Sequence, residues 1–339
     1  MPETPATHQS NAASTPARSL AGIPTSVWVT AQRNSRTQRA GRYVPDSVAH
    51  PAKMLPDIAA YAIGAYTEPG DLVVDPMCGI GTTLVESLHL RRRALGVEYE
   101  AKWAKYARQN IALAKAQSGC EEAALVVRAD ARKLVKVVPP ELVGTAALVI
   151  TSPPYGAATH GQVKATAETG ESGVQKSDFR YSTDRGNLAH ANREDLIAGF
   201  AEILSGCRQM LRPGGVVAVT ARPWREHGEL VDLPSEVIAA GVKAGLEPIE
   251  RCLALIAGAR DRQLVTRPSF FQLANIRAAR AAGVPMHLIV AEDVLLFRAP
   301  TKSRSSSENQ GFYAELQDSP LPVSGMGPGV GGEVSEAVA

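Results

Sequence analysis

Aromatic residues are scarce in this 339-residue chain: Phe, Trp and Tyr make up 5% of it, against 45% for hydrophobic residues as a whole. A core poor in aromatics is filled by Ala, Val, Leu and Ile, the usual packing of a parallel sheet covered by helices. Net charge is nearly absent as well, at +2. That excludes a polycation holding nucleic acid through bulk charge and leaves only local basic patches. The four cysteines, Cys78, Cys120, Cys207 and Cys252, are far apart and show neither zinc spacing nor a disulfide rhythm. A reduced cytoplasm and no metal are expected. No run of about 18 apolar residues exists to span a bilayer. The N-terminus, MPETPATHQSNAASTPARSL, lacks the apolar stretch of a secretory signal. No membrane partner is expected.

Residues 1–24 are rich in Ala, Thr, Ser and Pro, and residues 301–339 return to Ser, Gly, Pro and Glu. Neither buries enough surface to order itself, so both read as disordered tails around one domain over residues 25–300. Within it, short apolar strands at 72–76, 94–98, 124–130, 147–154, 216–223 and 293–298 alternate with helical stretches at 83–90, 101–116 and 193–211. The last stretch stops at Arg212-Pro213-Gly214-Gly215. This alternation predicts an α/β, doubly wound, Rossmann-like fold. In such sheets ligands sit beyond the carboxyl ends of the strands, and the informative residues fall there.

Asp75-Pro76-Met77-Cys78-Gly79-Ile80-Gly81-Thr82-Thr83 follows a strand and opens a helix. Its glycines allow a tight turn and a close approach of backbone to ligand. A dinucleotide fingerprint would want a small residue where Leu84 stands, and an acid at the strand end repels a phosphate. Asp75 suits instead the cationic amino-acid end of S-adenosyl-L-methionine. Glu98, ending the next strand, can accept both ribose hydroxyls, and Asp130, ending the third, the adenine amino group. Any one of these acids alone reads equally well as a solvated acid or a helix N-cap. Three consecutive strands each presenting one acid form a stronger pattern.

Thr151-Ser152-Pro153-Pro154-Tyr155 follows the fourth strand. Two successive prolines fix φ and hold the preceding carbonyls rigid. An amino group on a base is a poor nucleophile because its lone pair is delocalised into the ring. Ser152 Oγ and the Pro153 carbonyl can accept its two protons and favour a pyramidal nitrogen, while Tyr155 stacks on the extruded base. Methylation at carbon-5 of cytosine would need a nucleophilic cysteine, usually after proline, and no Pro-Cys pair occurs.

These residues resemble the N4-cytosine and N6-adenine DNA amino-methyltransferases over about residues 48–298. His50-Pro51-Ala52-Lys53-Met54 resembles the segment that lies against the methionine part of their cofactor, DPMCGIGTT their cofactor loop, and TSPPY their catalytic tetrapeptide. The resemblance implies a class I methyltransferase fold with a mostly parallel seven-stranded sheet and an antiparallel last strand. It also implies S-adenosyl-L-methionine at Lys53, Asp75, Pro76, Cys78, Gly79, Gly81, Thr82, Thr83, Glu98 and Asp130. Its catalytic set is Ser152, Pro153, Pro154 and Tyr155. Ser152 resembles the N4-cytosine form more than the adenine form, and His50-Pro51-Ala52-Lys53-Met54 favours the DNA branch, so DNA is the expected partner, in a solitary enzyme or a restriction or phage-defence system. Two departures stand against this: the cofactor loop precedes the catalytic motif, and no large target-recognition domain follows. DPMCGIGTTLVE with PPYG is also similar to tRNA guanosine-N2 methyltransferases, and RNA is the alternative substrate. Other readings are a silent nucleic-acid-binding module and a small-molecule or protein-glutamine methylase.

Two insertions are candidate target loops. The first, near 157–192, carries His160, Lys164, Lys176, Arg180, Tyr181 and Arg185; the second, near 258–285, carries Arg262, Arg267, Phe270, Phe271, Gln272 and Arg277. A solvated helix with core phenylalanines reads the second equally well. The run Arg33, Arg36, Arg39, Arg42 reads either as a reach to phosphate or as ordinary solvated charge. Trp224 reads as a pocket wall or as packing.

Overall fold

The computed structural model describes residues 24–119, 123–154, 162–164, 175–177, 184, 186–226, 229–268 and 270–300. Residues 1–23 and 301–339, expected as tails, lie outside them. In chain order the elements are β1 (Val27–Trp28), α1 (Ser35–Arg39), α2 (Pro56–Tyr66), β2 (Leu72–Asp75), α3 (Thr82–His89), β3 (Arg93–Glu98), α4 (Ala101–Ser118), β4 (Ala124–Arg128), α5 (Leu134–Val137), β5 (Ala146–Thr151), β6 (Gln162–Lys164), β7 (Gln175–Ser177) and α6 (Arg193–Met210). They continue as β8 (Leu211–Ala221), β9 (Trp224–Glu226), β10 (Glu229–Val231), α7 (Leu233–Lys243), β11 (Glu247–Leu255), β12 (Gly258–Arg260), β13 (Gln263–Val265), α8 (Phe270–Ala281) and β14 (Ala291–Arg298).

The main sheet runs β1-β11-β14-β8-β5-β2-β3-β4. Every pair is parallel except those of β14, which is antiparallel to both neighbours. This is the expected Rossmann-like arrangement with an antiparallel last strand, corrected in one respect: the sheet has eight strands. Val27 and Trp28 pair with Leu253 and Ala254 and extend the β11 edge. The order reverses between β2 and β5, which opens a crevice at their carboxyl ends.

Local sequence explains the layers. In β5, Leu148 and Ile150 face one side of the sheet and Val149 the other, the alternation of a strand buried on both faces. One face packs on α6 and α7 through Phe200, Leu204, Val237 and Ala240. The other packs on α2 through Ile58, Ala62 and Ile63, with Trp28 stacked on Tyr61 at 4.5 Å between ring centroids. Asn192 caps α6 by accepting from Asp195 N, and Glu194 and Asp195 lie in its positive first turn. The helix ends at Met210 and β8 begins with the next residue, so Arg212-Pro213-Gly214-Gly215 belongs to the strand.

The segment before α2 is a strap tied across the fold. Thr30 Oγ1 donates to Leu255 O at 2.8 Å. The Gln38 amide donates to Thr30 O and Arg33 O while its oxygen accepts from Asp57 N. Asn110 on α4 accepts from Val44 N and donates to Ile80 O, which fixes the strap's far end to the loop after β2.

Candidate active site

The loop after β2 is shaped by backbone that only glycine adopts easily. Gly79 and Gly81 have φ of +52° and +81°. A Cβ on Gly79 would stand 3.1 Å from His50 Nε2, and one on Gly81 3.2 Å from the Ala107 Cβ. The loop is held by Cys78 N donating to Val97 O and Gly81 N to Cys78 O. Leu84, the residue too large for a dinucleotide fingerprint, is accommodated from the opposite side. Gly96 on β3 lacks the Cβ that would meet Leu84 Cδ1 at 2.6 Å and Cys78 Sγ at 2.7 Å. Helix and strand approach closely through a glycine on the strand.

The acids at the strand ends are fixed before any ligand arrives. Asp75 is buried and accepts from Thr83 Oγ1 at 2.7 Å and Met77 N at 3.1 Å. Glu98, also buried, accepts from Gly79 N and Glu100 N, both at 2.8 Å. Burial pushes both carboxyls up to about 7, only partly offset by these hydrogen bonds. Asp130 differs: it accepts from Arg132 N as an N-cap and pairs with the Arg132 guanidinium at 2.7 Å. Asp130 is thus an N-cap that also lines the cavity.

His50 and Lys53 form the wall facing these acids. His50 is buried edge-on to Trp103, with centroids 4.6 Å apart, and burial pulls its imidazole down to about 3, so it is neutral at physiological pH. Lys53 donates to the His50 carbonyl. Burial first and Arg39 second draw its ammonium down to about 8.

These groups surround one cavity of ≈ 990 Å³, mouth included, which also takes in Ser152, Pro153 and Pro154 from the end of β5. All ten residues expected at the cofactor line it except Gly81, which shapes the loop behind. Tyr155 lies outside the described residues. Tyr99, Arg132, Gly186, Asn187 and Leu188 line the cavity too and were not anticipated. They meet because Tyr99 Oη donates to Asp184 at 2.8 Å, Asn187 Nδ2 to Glu100 at 2.9 Å and Arg132 to Gly186 O at 3.3 Å. Tyr99 and Glu100 flank a predicted acid, but nothing local points to the partners more than 80 positions on.

Other expected residues separate. Arg39 and Arg42 are turned into the protein and are not set to reach phosphate. Arg39 is buried behind the cavity, and Arg42 pairs with the buried Glu86 at 2.6 Å, because the strap folds inward over α3. Arg33 pairs with Asp57. Arg267 donates to Ala31 O and Gln32 O and so ties the strap. Trp224 packs against the core beneath α6 and α7. Arg262 sits exposed at the β12–β13 turn, where it and Asp261 have φ of +64° and +47°. Gln272 is half-buried on α8. His160, Arg180, Tyr181, Arg185 and the side chains of Lys164, Lys176, Phe270 and Phe271 lie outside the described residues. Among the described residues no cluster of His, Cys, Asp and Glu could hold a metal, and no helix is long and apolar enough to cross a membrane.

A family model described as DNA methylase matches residues 6–109. The Type II methyltransferase M.EcaI of Enterobacter cloacae is 39% identical over 57 residues, 17% of this chain and 13% of that protein. The tRNA (guanine(10)-N2)-dimethyltransferase of Methanocaldococcus jannaschii is 27% identical over 123 residues, 35% of this chain and 34% of that protein. The chain thus spans about an eighth and a third of these curated relatives. Among solved structures, TrmN from Thermus thermophilus aligns over 77% of this chain and 53% of its own, at 16% identity and a TM-score of 0.43. The cavity fits S-adenosyl-L-methionine: buried acids for its cation and ribose, a glycine cradle that a Cβ would fill, and the Lys53 ammonium on the facing wall for its carboxylate. S-adenosyl-L-methionine is the cofactor of this site.

Proposed function

We propose that this protein methylates an exocyclic amino group of a nucleic-acid base. The observation that carries the reading is that Ser152-Pro153-Pro154 opens onto the same cavity as the glycine loop and the acids of β2 and β3. The bound cofactor supplies an electrophilic methyl group. The chain's own part is to hold the acceptor: Ser152 Oγ and the Pro153 carbonyl accept the two amino protons, which localises the lone pair on nitrogen. Pro153 and Pro154 keep these acceptors from rotating away. Asp75 and Glu98, fixed by backbone amides, orient the cofactor without reorganising.

Guanosine N2 in RNA is the finer reading, supported by the longer of the two relative matches and by the cofactor loop preceding the catalytic motif. N4 of cytosine in DNA is the second, favoured by the DNA methylase match over the strap and the His50–Met54 segment and by serine at position 152. The exposed Arg262 turn and α8 are proposed to meet the polymer's backbone.

The test is transfer of labelled methyl from S-adenosyl-L-methionine to bulk RNA and unmethylated genomic DNA in parallel, followed by nucleoside analysis. N2-methylguanosine in RNA supports the first reading, and N4-methylcytosine or N6-methyladenine in DNA selects the second. Ser152→Ala should lower the rate about 100–1,000-fold, as removal of one fixed polar contact to the reacting group does elsewhere. Label in neither polymer overturns the proposal.

A further inference from the structure

Arg39 is a buried cation with no carboxylate within ion-pair distance among the described residues, held only at longer range by Glu86 and Tyr43. Its side chain crosses from α1 to the back of the cavity wall and is 5% exposed. There Nη1 donates to Thr82 Oγ1 at 3.3 Å and Nη2 to Met54 O at 2.5 Å, both neutral oxygens. Its Nε is buried without a hydrogen-bond partner among the described residues. Glu86 is already engaged by Arg42 at 2.6 Å and by Tyr43 Oη at 2.7 Å. The Tyr43 ring lies 4.9 Å from the guanidinium carbon, and Tyr43, whose hydroxyl is given to Glu86, supports the cation without carrying a full charge of its own.

Burying an unmatched cation is costly unless an anion completes the site. Burial lowers the guanidinium from its ordinary value, and Tyr43 and Glu86 offset this only in part. Lys53 adds a second cation to the same wall, and the amino end of α3 adds the positive end of its dipole. Thr82 connects this charge to the cavity. Its hydroxyl oxygen accepts from Arg39, and no acceptor for its own proton is found among the described residues. That proton is therefore free to turn toward the space Thr82 lines.

We propose that Arg39, anchored on the Met54 carbonyl, is a positioning residue for the carboxylate of the cofactor, acting from behind the wall by orienting the Thr82 hydroxyl and by supplying counter-charge. The proposal rests on S-adenosyl-L-methionine as the cofactor and assigns the carboxylate end to a residue of the strap.

The test compares binding, by calorimetry and without methyl acceptor, of S-adenosyl-L-methionine and its decarboxylated analogue, which keeps the sulfonium, the amine and the nucleoside. Arg39→Met should weaken the cofactor about tenfold or more and leave the analogue within twofold. Arg39→Lys should recover part of the loss. Arg39→Gln, which keeps amide donors near Thr82 and Met54 but removes the charge, should show the same selective loss and decides the matter if Arg39→Met does not fold. Equal loss of both ligands, or no loss of either, would reduce Arg39 to a structural tie. Wild-type protein that binds neither ligand would instead overturn the cofactor assignment.

Discussion

The two halves of the sheet's carboxyl edge are built differently. Where β2, β3 and β4 end, ionisable groups are tied to backbone, with Glu98 and Asp75 buried and Asp130 half-buried: Glu98 to Gly79 N and Glu100 N, Asp75 to Met77 N, Asp130 to Arg132 N. Where β8 and β11 end and β14 begins, the chain puts out the β9–β10 and β12–β13 hairpins and α8. Arg260, Arg262, Arg277 and Arg280 there are exposed, and Leu230 and Leu264 are 60% and 48% exposed. A small rigid cofactor rewards fixed geometry, because every group that need not reorganise on binding adds to affinity. A polymer backbone of repeating charge is met by long, adaptable cations.

The largest effect that would break this contrast comes from Glu98→Ala. It strands the amides of Gly79 and Glu100, and the folded state should lose about 2 kcal/mol together with nucleoside binding, read by denaturant unfolding and calorimetry. Unchanged stability would mean that the carboxylate does not organise the loop. Asp75→Asn is next. It keeps the shape but removes the charge, so cofactor affinity should fall about tenfold while the unfolding midpoint stays or rises, because the desolvation cost of Asp75 is relieved.

The pH dependence follows with its sign. Both acids are raised, from 3.8 and 4.5 to about 7. Their contribution to stability is therefore fully present when they are protonated and is lost as pH rises from about 4 through 7. The cation-bearing cofactor selects the ionised forms. The midpoint without cofactor should fall between pH 5 and 7.5 while the shift that cofactor induces grows, and Asp75→Asn should flatten both trends. A cofactor-induced shift independent of pH would contradict the buried-acid account. The smallest effect belongs to the adaptable half: Arg262→Ala should leave stability within about 0.5 kcal/mol. It should also weaken polymer binding a few-fold and reduce the salt slope by about one charge, measured by titration at several salt concentrations.

Legibility in the sequence followed the same division. Strands β2, β3, β5 and β14, the glycine loop and its three acids are local patterns, apolar runs ending in Asp or Glu or followed by Gly-X-Gly, and they lie where expected. β11 escaped because Ile249, Arg251 and Leu253 point outward and Glu250 sits at an irregular register, which dilutes both apolar and alternating patterns. β1 has only two residues, too few for any period. The strap misled for a different reason. Arginines at 33, 36, 39 and 42 look like a solvated stripe, and only the fold brings Arg39 to Met54 and Arg42 to Glu86. Gly96 is a similar case, since its meaning lies in the Leu84 side chain it makes room for.

The strap also sets a clock. Thr30 is bound to Leu255, 225 positions later, Ser26 O accepts from Leu253 N, and Arg267 holds Ala31 and Gln32. During synthesis at roughly 5–20 residues per second, the first residues wait about 10–45 s before the strand that anchors them has been made. The cofactor wall that the strap backs is therefore among the last parts of the molecule to be finished. A ribosome-bound chain already carrying β2 to β5 would possess the glycine loop and its acids, yet lack the anchored support behind them.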